Sequence, residues 1–320
     1  MKKFKFLAAV CCMVAMFTAM SITLVSCKKD KTDDPKDPST EQNGGNQNED
    51  ETPAPVTYTL TVLSSNEEMG TVTGGGSYEE GTEATLTATP ASEACVFVKW
   101  SDGNTENPRT LTVTGNLELT ATFGYAFVDL GLPSGVKWAA CNVGATTPEG
   151  YGGYFAWGET ETKTTYSWAT YKWCNGNYDT QTKYCTSSTY GTVDDKTQLE
   201  LADDAARANW GGAWRMPTDA ECQELIDNCT WTWTSDYNCT GVAGRIVTGP
   251  NGNFIFLPAA GYRLRGDLLN AGDIGLYWSC SLRTVRPDYA WYVLFNSDDV
   301  LRDYSGRICG QSVRPVTIPK

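Results

Sequence analysis

The chain contains no histidine. That absence excludes a Ser-His-Asp or Cys-His catalytic arrangement, a histidine-ligated metal and any imidazole acid–base step. Beyond residue 27 there is also no Cys-x-x-Cys pair, so the usual ingredients of a zinc site are missing. Positive charge is scarce. The net charge is −13, and the first 26 residues hold three lysines and no acid, which leaves −16 for the remainder. Such a body repels nucleic acid and anionic lipid surfaces, and no nucleic-acid partner is expected. The paired acids Asp203-Asp204 and Asp298-Asp299 are adjacent in sequence and do not form an acid–base couple facing across a cleft. No residue is expected to be catalytic, and the chain reads as a non-enzyme.

What is present begins at the N-terminus. Lys2, Lys3 and Lys5 form a basic segment, Phe6 to Val25 is apolar and uncharged, and Leu24-Val25-Ser26-Cys27 closes the run. These are the parts of a secretory signal, here residues 1–26. The last four residues resemble the lipobox of bacterial lipoproteins, which implies diacylglyceryl transfer to the Cys27 sulfur and cleavage before it. Two or three acyl chains, at roughly 0.8 kcal/mol per buried methylene, anchor a protein stably to a membrane. The alternative is a plain transmembrane span.

Residues 27–56 read as a disordered acidic tether. Lys28 to Val56 holds eight acids, four lysines and almost nothing apolar, too little to order itself. Its reach is on the order of 30 Å at about 5–6 Å × √n. Cys27-Lys28-Lys29-Asp30 resembles the acidic export signal that sends some gram-negative lipoproteins to the outer face of the outer membrane. A linker left facing the periplasm is the alternative.

Residues 57–123 alternate polar and apolar side chains in Tyr58–Val62, Ala84–Ala88, Leu111–Val113 and Leu117–Phe123, the pattern of half-buried strands. Gly70, Gly74 to Gly76, Gly81, Asp102-Gly103 and Gly115-Asn116 punctuate them as turns. With Val96-Phe-Val-Lys-Trp-Ser-Asp102 between, this order resembles the divergent internalin B-type repeat, a β module that implies a spacer or a weak interaction domain. Trp100 is expected in its core. Cys95 has no partner within the module.

Residues 125–320 hold ten of the eleven tryptophans and eight cysteines. One helix is expected near Thr197–Ala208. A second begins at the Thr218-x-x-Glu221 capping box, with Cys222, Leu225, Ile226 and Cys229 on one face. Strands are expected at Phe254–Leu257, Leu276–Ser279, Tyr289–Phe295 and Ser312–Val316. The run Asp129-Leu-Gly-Leu-Pro-Ser-Gly-Val-Lys-Trp138, Cys141-Asn-Val-Gly144, Phe155-Ala-Trp-Gly-Glu159, Ala208–Thr218, Leu257–Arg263, Tyr277-Trp-Ser279 and Gly310–Val316 resembles the Fibrobacter succinogenes major paralogous domain. That resemblance implies a C-type lectin-like fold on an exported surface protein. The expected fold class is multi-domain: a small all-β repeat module followed by an α+β C-type lectin-like domain.

Eight cysteines in an exported domain suggest disulfides. Cys222 and Cys229 are about 10 Å apart along one helix and need separate partners. Cys280–Cys309 and Cys174–Cys185 are the favoured pairs, with buried thiols as the alternative. The lectin-like fold is shared with formylglycine-generating enzymes, which use a cysteine pair, but neither Cys280 nor Cys309 lies in a motif of that family. No cofactor is expected. Asp267, Asn270 and Asp273, and Asn296, Asp298 and Asp299, offer oxygen ligands that suit Ca²⁺, or are polar turn residues in water. Trp168, Tyr171, Trp173, Trp231 and Trp233 fall in loop-like sequence. There they either stack on a glycan or protein ligand or cover the core. The expected function is a cell-surface binding or adhesion head, with a structural role in a surface assembly as the alternative.

Overall fold

The computed structural model describes residues 54–318. The signal segment, the tether up to residue 53 and Cys27 lie outside the described residues. No helix among the described residues is long and apolar enough to cross a membrane.

The N-terminal module has seven strands: β1 (Thr57–Ser64), β2 (Gly70–Thr73), β3 (Gly76–Glu79), β4 (Glu83–Pro90), β5 (Cys95–Trp100), β6 (Arg109–Thr112) and β7 (Leu117–Tyr125). They form two sheets, ordered β3-β1-β7-β5 and β2-β4-β6. The first and last strands pair in parallel, Leu60 opposite Leu117, while the other pairs are antiparallel. Alternation along β4 buries Ala84, Leu86 and Ala88 with Leu60, Trp100, Val113 and Leu119 in one core. Trp100 is 0% exposed, as the sequence leads one to expect, and its Nε1 donates to the Glu106 carbonyl at 2.9 Å. Gly70 is required by packing, since a Cβ there would stand 2.3 Å from the Phe123 ring.

The rest of the chain adds β8 (Phe127–Val128), β9 (Lys137–Ala139), α1 (Ala205–Trp210), α2 (Asp219–Asn228), β10 (Thr230–Thr234), β11 (Gly244–Thr248), β12 (Phe254–Pro258), β13 (Tyr262–Leu264), β14 (Asp267–Leu269), β15 (Gly275–Leu282), β16 (Tyr289–Phe295), β17 (Val300–Gly306) and β18 (Val316–Thr317). Their sheets are small: β10-β11-β12, β13-β14, β15-β16-β17 and β18-β9-β8. The described chain is therefore mostly β. Val316 opposite Trp138 joins the last strand to the beginning of this domain, so its two ends close on each other.

Helix α2 starts where the sequence places it. Thr218 Oγ1 accepts from the Glu221 amide at 3.2 Å and Glu221 Oε2 accepts from the Thr218 amide at 2.8 Å. Arg215 then pairs with Glu221 at 2.5 Å. The buried Cys222 and Leu225 pack on Val247, Ile255, Tyr277, Val293 and Phe295. The expected Thr197–Ala208 helix is instead a short 3₁₀ turn, Leu201–Asp203, followed by α1. Asp204 breaks it. Its carboxylate caps α1 by accepting from Arg207 N at 3.0 Å and also holds Met216 N at 2.8 Å, which keeps its own backbone extended. The expected Ser312–Val316 strand is also displaced: only Val316–Thr317 is a strand. The stretch before it bends to bury Arg314, whose four hydrogen bonds run to Asn142 Oδ1 and the carbonyls of Ala139, Ala140 and Phe256.

Module and C-terminal domain belong to one compact unit. Only Ala126 separates β7 from β8, and it bridges both sides: its amide donates to Ala94 and its carbonyl accepts from Ala140. Tyr125 stacks on Trp210 at 3.9 Å and 8°, with Trp214 edge-on to both rings. Cys95 pairs with Tyr125 in β7, so it sits at this joint and not in the module's core.

Candidate functional site

The site is built on the β15–β16–β17 meander. Register places Trp291 opposite Tyr304 and Val293 opposite Arg302, and alternate residues of β16 share a face. Tyr289, Trp291, Tyr304 and Arg302 therefore line one face at the loop end of the sheet. Tyr304 stands edge-on to both neighbours, 5.7 Å from Tyr289 and 5.6 Å from Trp291, at 80° and 89°. Three arginines lie over these rings. Arg283 is 3.5 Å from the Tyr304 centroid, Arg302 is 4.6 Å from Trp291 and Arg286 is 4.8 Å from Tyr289. Aromatic–guanidinium contacts of this kind are worth roughly 0.5–1 kcal/mol each at exposed sites. Tyr304 remains 38% exposed and Val285, in the adjoining loop, 73%.

The loop between β15 and β16 supplies two of the arginines and is tied from within. Arg283 N donates to Tyr289 O, Arg286 N to Arg283 O and Tyr289 N to Arg286 O. Arg286 grips Asp288 with two bonds of 3.0 and 2.8 Å. Behind the loop lies Arg307, 0% exposed. Its guanidinium donates to Tyr171 Oη, Tyr184 O, Pro287 O and Lys183 O at 2.8–3.2 Å. The rings of Trp157, Tyr171 and Tyr184 surround it within 5.8 Å. Among the described residues no carboxylate pairs with it, so backbone dipoles and ring faces stand in for a counter-ion.

Two clefts flank the aromatic strip. One, of about 360 Å³, is lined by Thr197, Gln198, Asp219, Thr284 and Trp291. The other, of about 400 Å³, is lined by Trp168, Tyr178, Arg286, Asp288 and Tyr289. Both are shallow and open to solvent. In the first cleft burial pushes the Asp219 carboxyl up, while its Arg302 partner at 2.8 Å pulls it back. Charges on the strip are thus locally neutralised twice, at Arg286–Asp288 and Arg302–Asp219. Arg283 has no ion pair and no side-chain hydrogen bond among the described residues.

The family model of the divergent InlB B-repeat domain matches residues 58–126. That range fits the seven-strand module with its Thr-rich alternation and buried Trp100, and agrees with the resemblance read from the sequence. No curated protein and no solved structure matches the chain. The InlB-type repeat contributes nothing to the strip. Its link to the neighbouring domain is the Tyr125–Trp210 joint, at α1 and not at the β15–β16 loop.

Of the residues singled out from sequence, Trp168 reaches this region. It lines the second cleft, with its ring 3.9 Å from where a Gly306 Cβ would stand. Trp173 is half-buried, donates to Gly158 O at 2.7 Å and packs on the core. Tyr171 is buried behind Arg307. Trp231 and Trp233 lie on β10 and cover the α2 core, Trp231 tilted on Phe295 at 5.9 Å. The four loop tryptophans thus do not form one patch.

Asp267 and Asp273 are exposed, on β14 and in the loop that follows, and Asp298 and Asp299 sit in the β16–β17 turn. Asn296 Oδ1 already accepts the amides of both Asp298 and Asp299, which commits it to the turn. Among the described residues no three His, Cys, Asp or Glu side chains come together as a metal site. The two oxygen sets considered for Ca²⁺ thus lie apart in the chain, one on β14 and the loop after it and one in the β16–β17 turn, each with two acids and one asparagine.

The expected disulfides are not formed: all nine described cysteines are free thiols. Cys174 and Cys185 point to different carbonyls, Trp168 O and Ser187 O, each at 3.2 Å. Cys309 accepts from Ser305 Oγ at 3.4 Å, while Cys280 lies within β15 near Asp204, Arg215 and Glu221. Burial pushes the Cys280 thiol up to about 12 and raises Cys309 as well.

Reading the sequence alone missed Tyr289, Trp291, Tyr304 and the three arginines. The signal was there in part: Tyr289-x-Trp291 and Arg302-x-Tyr304 each put two large side chains on one face of a strand.

Proposed function

We propose that this chain is an exported lipoprotein, anchored through Cys27 at the outer membrane and facing the cell exterior, whose C-terminal head is a non-catalytic ligand-binding domain. The signal segment 1–26, the lipobox cysteine and the acidic tether 27–56 support export and anchoring. The InlB-type repeat then serves as spacer between tether and head. The ordered motifs from Asp129 to Val316 support a C-type lectin-like head, as does the closure of its ends by β9 and β18.

The observation that carries the binding reading is the Tyr289–Tyr304–Trp291 strip with its arginines and flanking clefts. Tyr, Trp and Arg are the side chains that dominate recognition surfaces, because the rings offer large area with few rotors and the guanidinium offers a planar fork of donors. Here the rotors are already held by stacking, so little ordering is left to occur on binding. A cysteine-based enzyme is a poorer fit. A thiol pushed up to about 12, as Cys280 is, holds almost no thiolate at neutral pH.

The test is binding of the full chain, purified in detergent, to a glycan and extracellular-matrix array, alongside the Trp291→Ala variant. Binding that Trp291→Ala weakens by about 2 kcal/mol, roughly thirtyfold in Kd, is expected for a residue at the centre of a recognition surface. Absence of binding to every glycan and matrix protein would overturn the reading.

A further inference from the structure

We infer that the ligand of the strip is a carbohydrate bearing carboxylate groups, and that Arg283 is the residue that holds its acid. The inference rests on the reading of the strip as a ligand site and adds to it the chemistry of the ligand. Three guanidinium groups lie on the strip, and two of them face acids: Arg286 on Asp288 and Arg302 on Asp219, each at 2.8 Å. Arg283 faces none among the described residues. Arg283 is half-buried, and none of its side-chain nitrogens is fully enclosed without a partner. The group is nonetheless held. Its guanidinium carbon lies 3.5 Å from the Tyr304 ring centroid and its backbone amide is bonded to Tyr289 O at 3.1 Å. A guanidinium seated on a ring, with no acid or carbonyl already taking its donors, can offer the fork by which arginine takes a carboxylate through two parallel bonds.

The net charge, −13 for the whole sequence and −16 without residues 1–26, opposes an acidic ligand at long range. It does not decide the contact. Exposed charges farther off than about 8 Å are largely screened at physiological ionic strength, whereas a guanidinium–carboxylate pair acts at contact distance. The same balance predicts a binding site dependent on one local cation and sensitive to salt. The surroundings favour a sugar as the carrier of the acid. Leu282 and Thr284, which flank Arg283 in the chain, line the first cleft, and with them it offers Thr197, Gln198 and the Trp291 ring; Arg283 itself lies over Tyr304, the ring beside Trp291. Hydroxyl and amide groups beside an aromatic ring suit a polyhydroxylated ring, which has one apolar face and a polar rim.

The experiment measures the full chain, purified in detergent, against immobilised uronic-acid and sialic-acid oligosaccharides. Their carboxyl-reduced counterparts and poly-glutamate are included, at 50 and 300 mM NaCl. Binding to at least one acidic oligosaccharide is expected. It should fall tenfold or more on carboxyl reduction, fall with salt, and fall tenfold or more in Arg283→Gln, with an unchanged melting temperature in that variant. Arg283→Lys, which keeps the charge and loses the planar fork, should fall between the two. Equal binding of the acidic and carboxyl-reduced sugars overturns the inference and leaves the strip as a ligand site, and that comparison needs no variant. Poly-glutamate binding as tight as the sugar overturns the assignment to carbohydrate. No binding of any glycan, neutral or acidic, overturns the inference and counts against the reading beneath it.

Discussion

Replacing Arg307 by methionine should destabilise the folded unit by about 3 kcal/mol or more. The residue is fully buried and makes four hydrogen bonds, three of them to the carbonyls of Lys183, Tyr184 and Pro287. Net of exchange with water, a bond to a charged group contributes about 1.5–3 kcal/mol, so four bonds are worth at least about 6 kcal/mol. Methionine returns part of this. It spares the desolvation of a cation and buries an apolar chain, worth about 1.5–3 kcal/mol. The acceptors win because they cannot follow the change: three carbonyls, those of Tyr184 and Pro287 buried and that of Lys183 partly so, are left without a donor. For a unit of this size about 2–4 °C of melting temperature accompanies each kcal/mol, so a fall of roughly 6–12 °C is expected. Thermal unfolding of the full chain followed by circular dichroism measures it. Arg307→Lys should fall in between, because one ammonium has three donors and no fork to reach four acceptors. A melting temperature within about 2 °C of the parent for Arg307→Met would show that burial of the cation costs as much as its bonds contribute, and would refute the reasoning.

Cys27→Ser should abolish incorporation of labelled palmitate and shift the protein from the membrane to the soluble fraction on cell lysis; membrane retention in that variant would remove the lipid anchor from the proposal. Thiol labelling of the folded protein at pH 8, mapped by peptide mass spectrometry, should reach the exposed Cys239 first and the buried Cys280 much later. At about 12, the Cys280 thiol is only about one part in ten thousand thiolate at that pH, and equal labelling rates at the two positions would contradict the burial described. Burial raises the Glu221 carboxyl, but its bonds to Arg215 and Thr218 outweigh that and hold it below its ordinary value. Its charge therefore stabilises the fold above the unfolded-state pKa near 4, and that stability is lost as pH falls through the folded value. The stability gap between the parent and Glu221→Gln should accordingly shrink below about pH 4 in urea titrations, and a gap that stays constant down to pH 2.5 would show that the ion pair is not its source.

How much of this fold can be read in the sequence depends on how far apart the deciding partners stand. Thr218 and Glu221 are three residues apart and complete their own capping box, so the start of α2 is legible. Tyr289–Phe295 has the aromatic and branched composition of a strand, and β16 spans those same residues. The Thr197–Ala208 stretch has helical spacing, yet Asp204 is taken by the amide of Met216, twelve residues on, and the helix gives way to a turn. Arg307 and Arg314 look like surface residues in the sequence. Their acceptors lie on segments up to 175 residues away, so only the folded chain reveals that they are buried. The disulfide expectation failed for a related reason. Spacing can exclude a pair, as it does for Cys222 and Cys229, but it cannot say whether two thiols meet.

The same distinction separates the tryptophans of the loops from those of the strip. Loop position suggests exposure, and for Trp173, Trp231 and Trp233 that suggestion misleads, because the small sheets leave their edges to be covered and these rings cover them. Trp291 lies in a segment that reads as an ordinary core strand, with Ala290 and Tyr292 buried on one face. Its other face is divided. Val293 and Phe295 run under α2, whereas Tyr289 and Trp291 extend past the helix and are left to the arginines. The strip exists because α2 is ten residues long, about 15 Å, and too short to cover the whole of β16. A longer α2 would bury Trp291 and Tyr304 as further core residues. On this argument the strip is an uncovered end of the hydrophobic core, and three guanidinium groups in place of a helix lie over its rings.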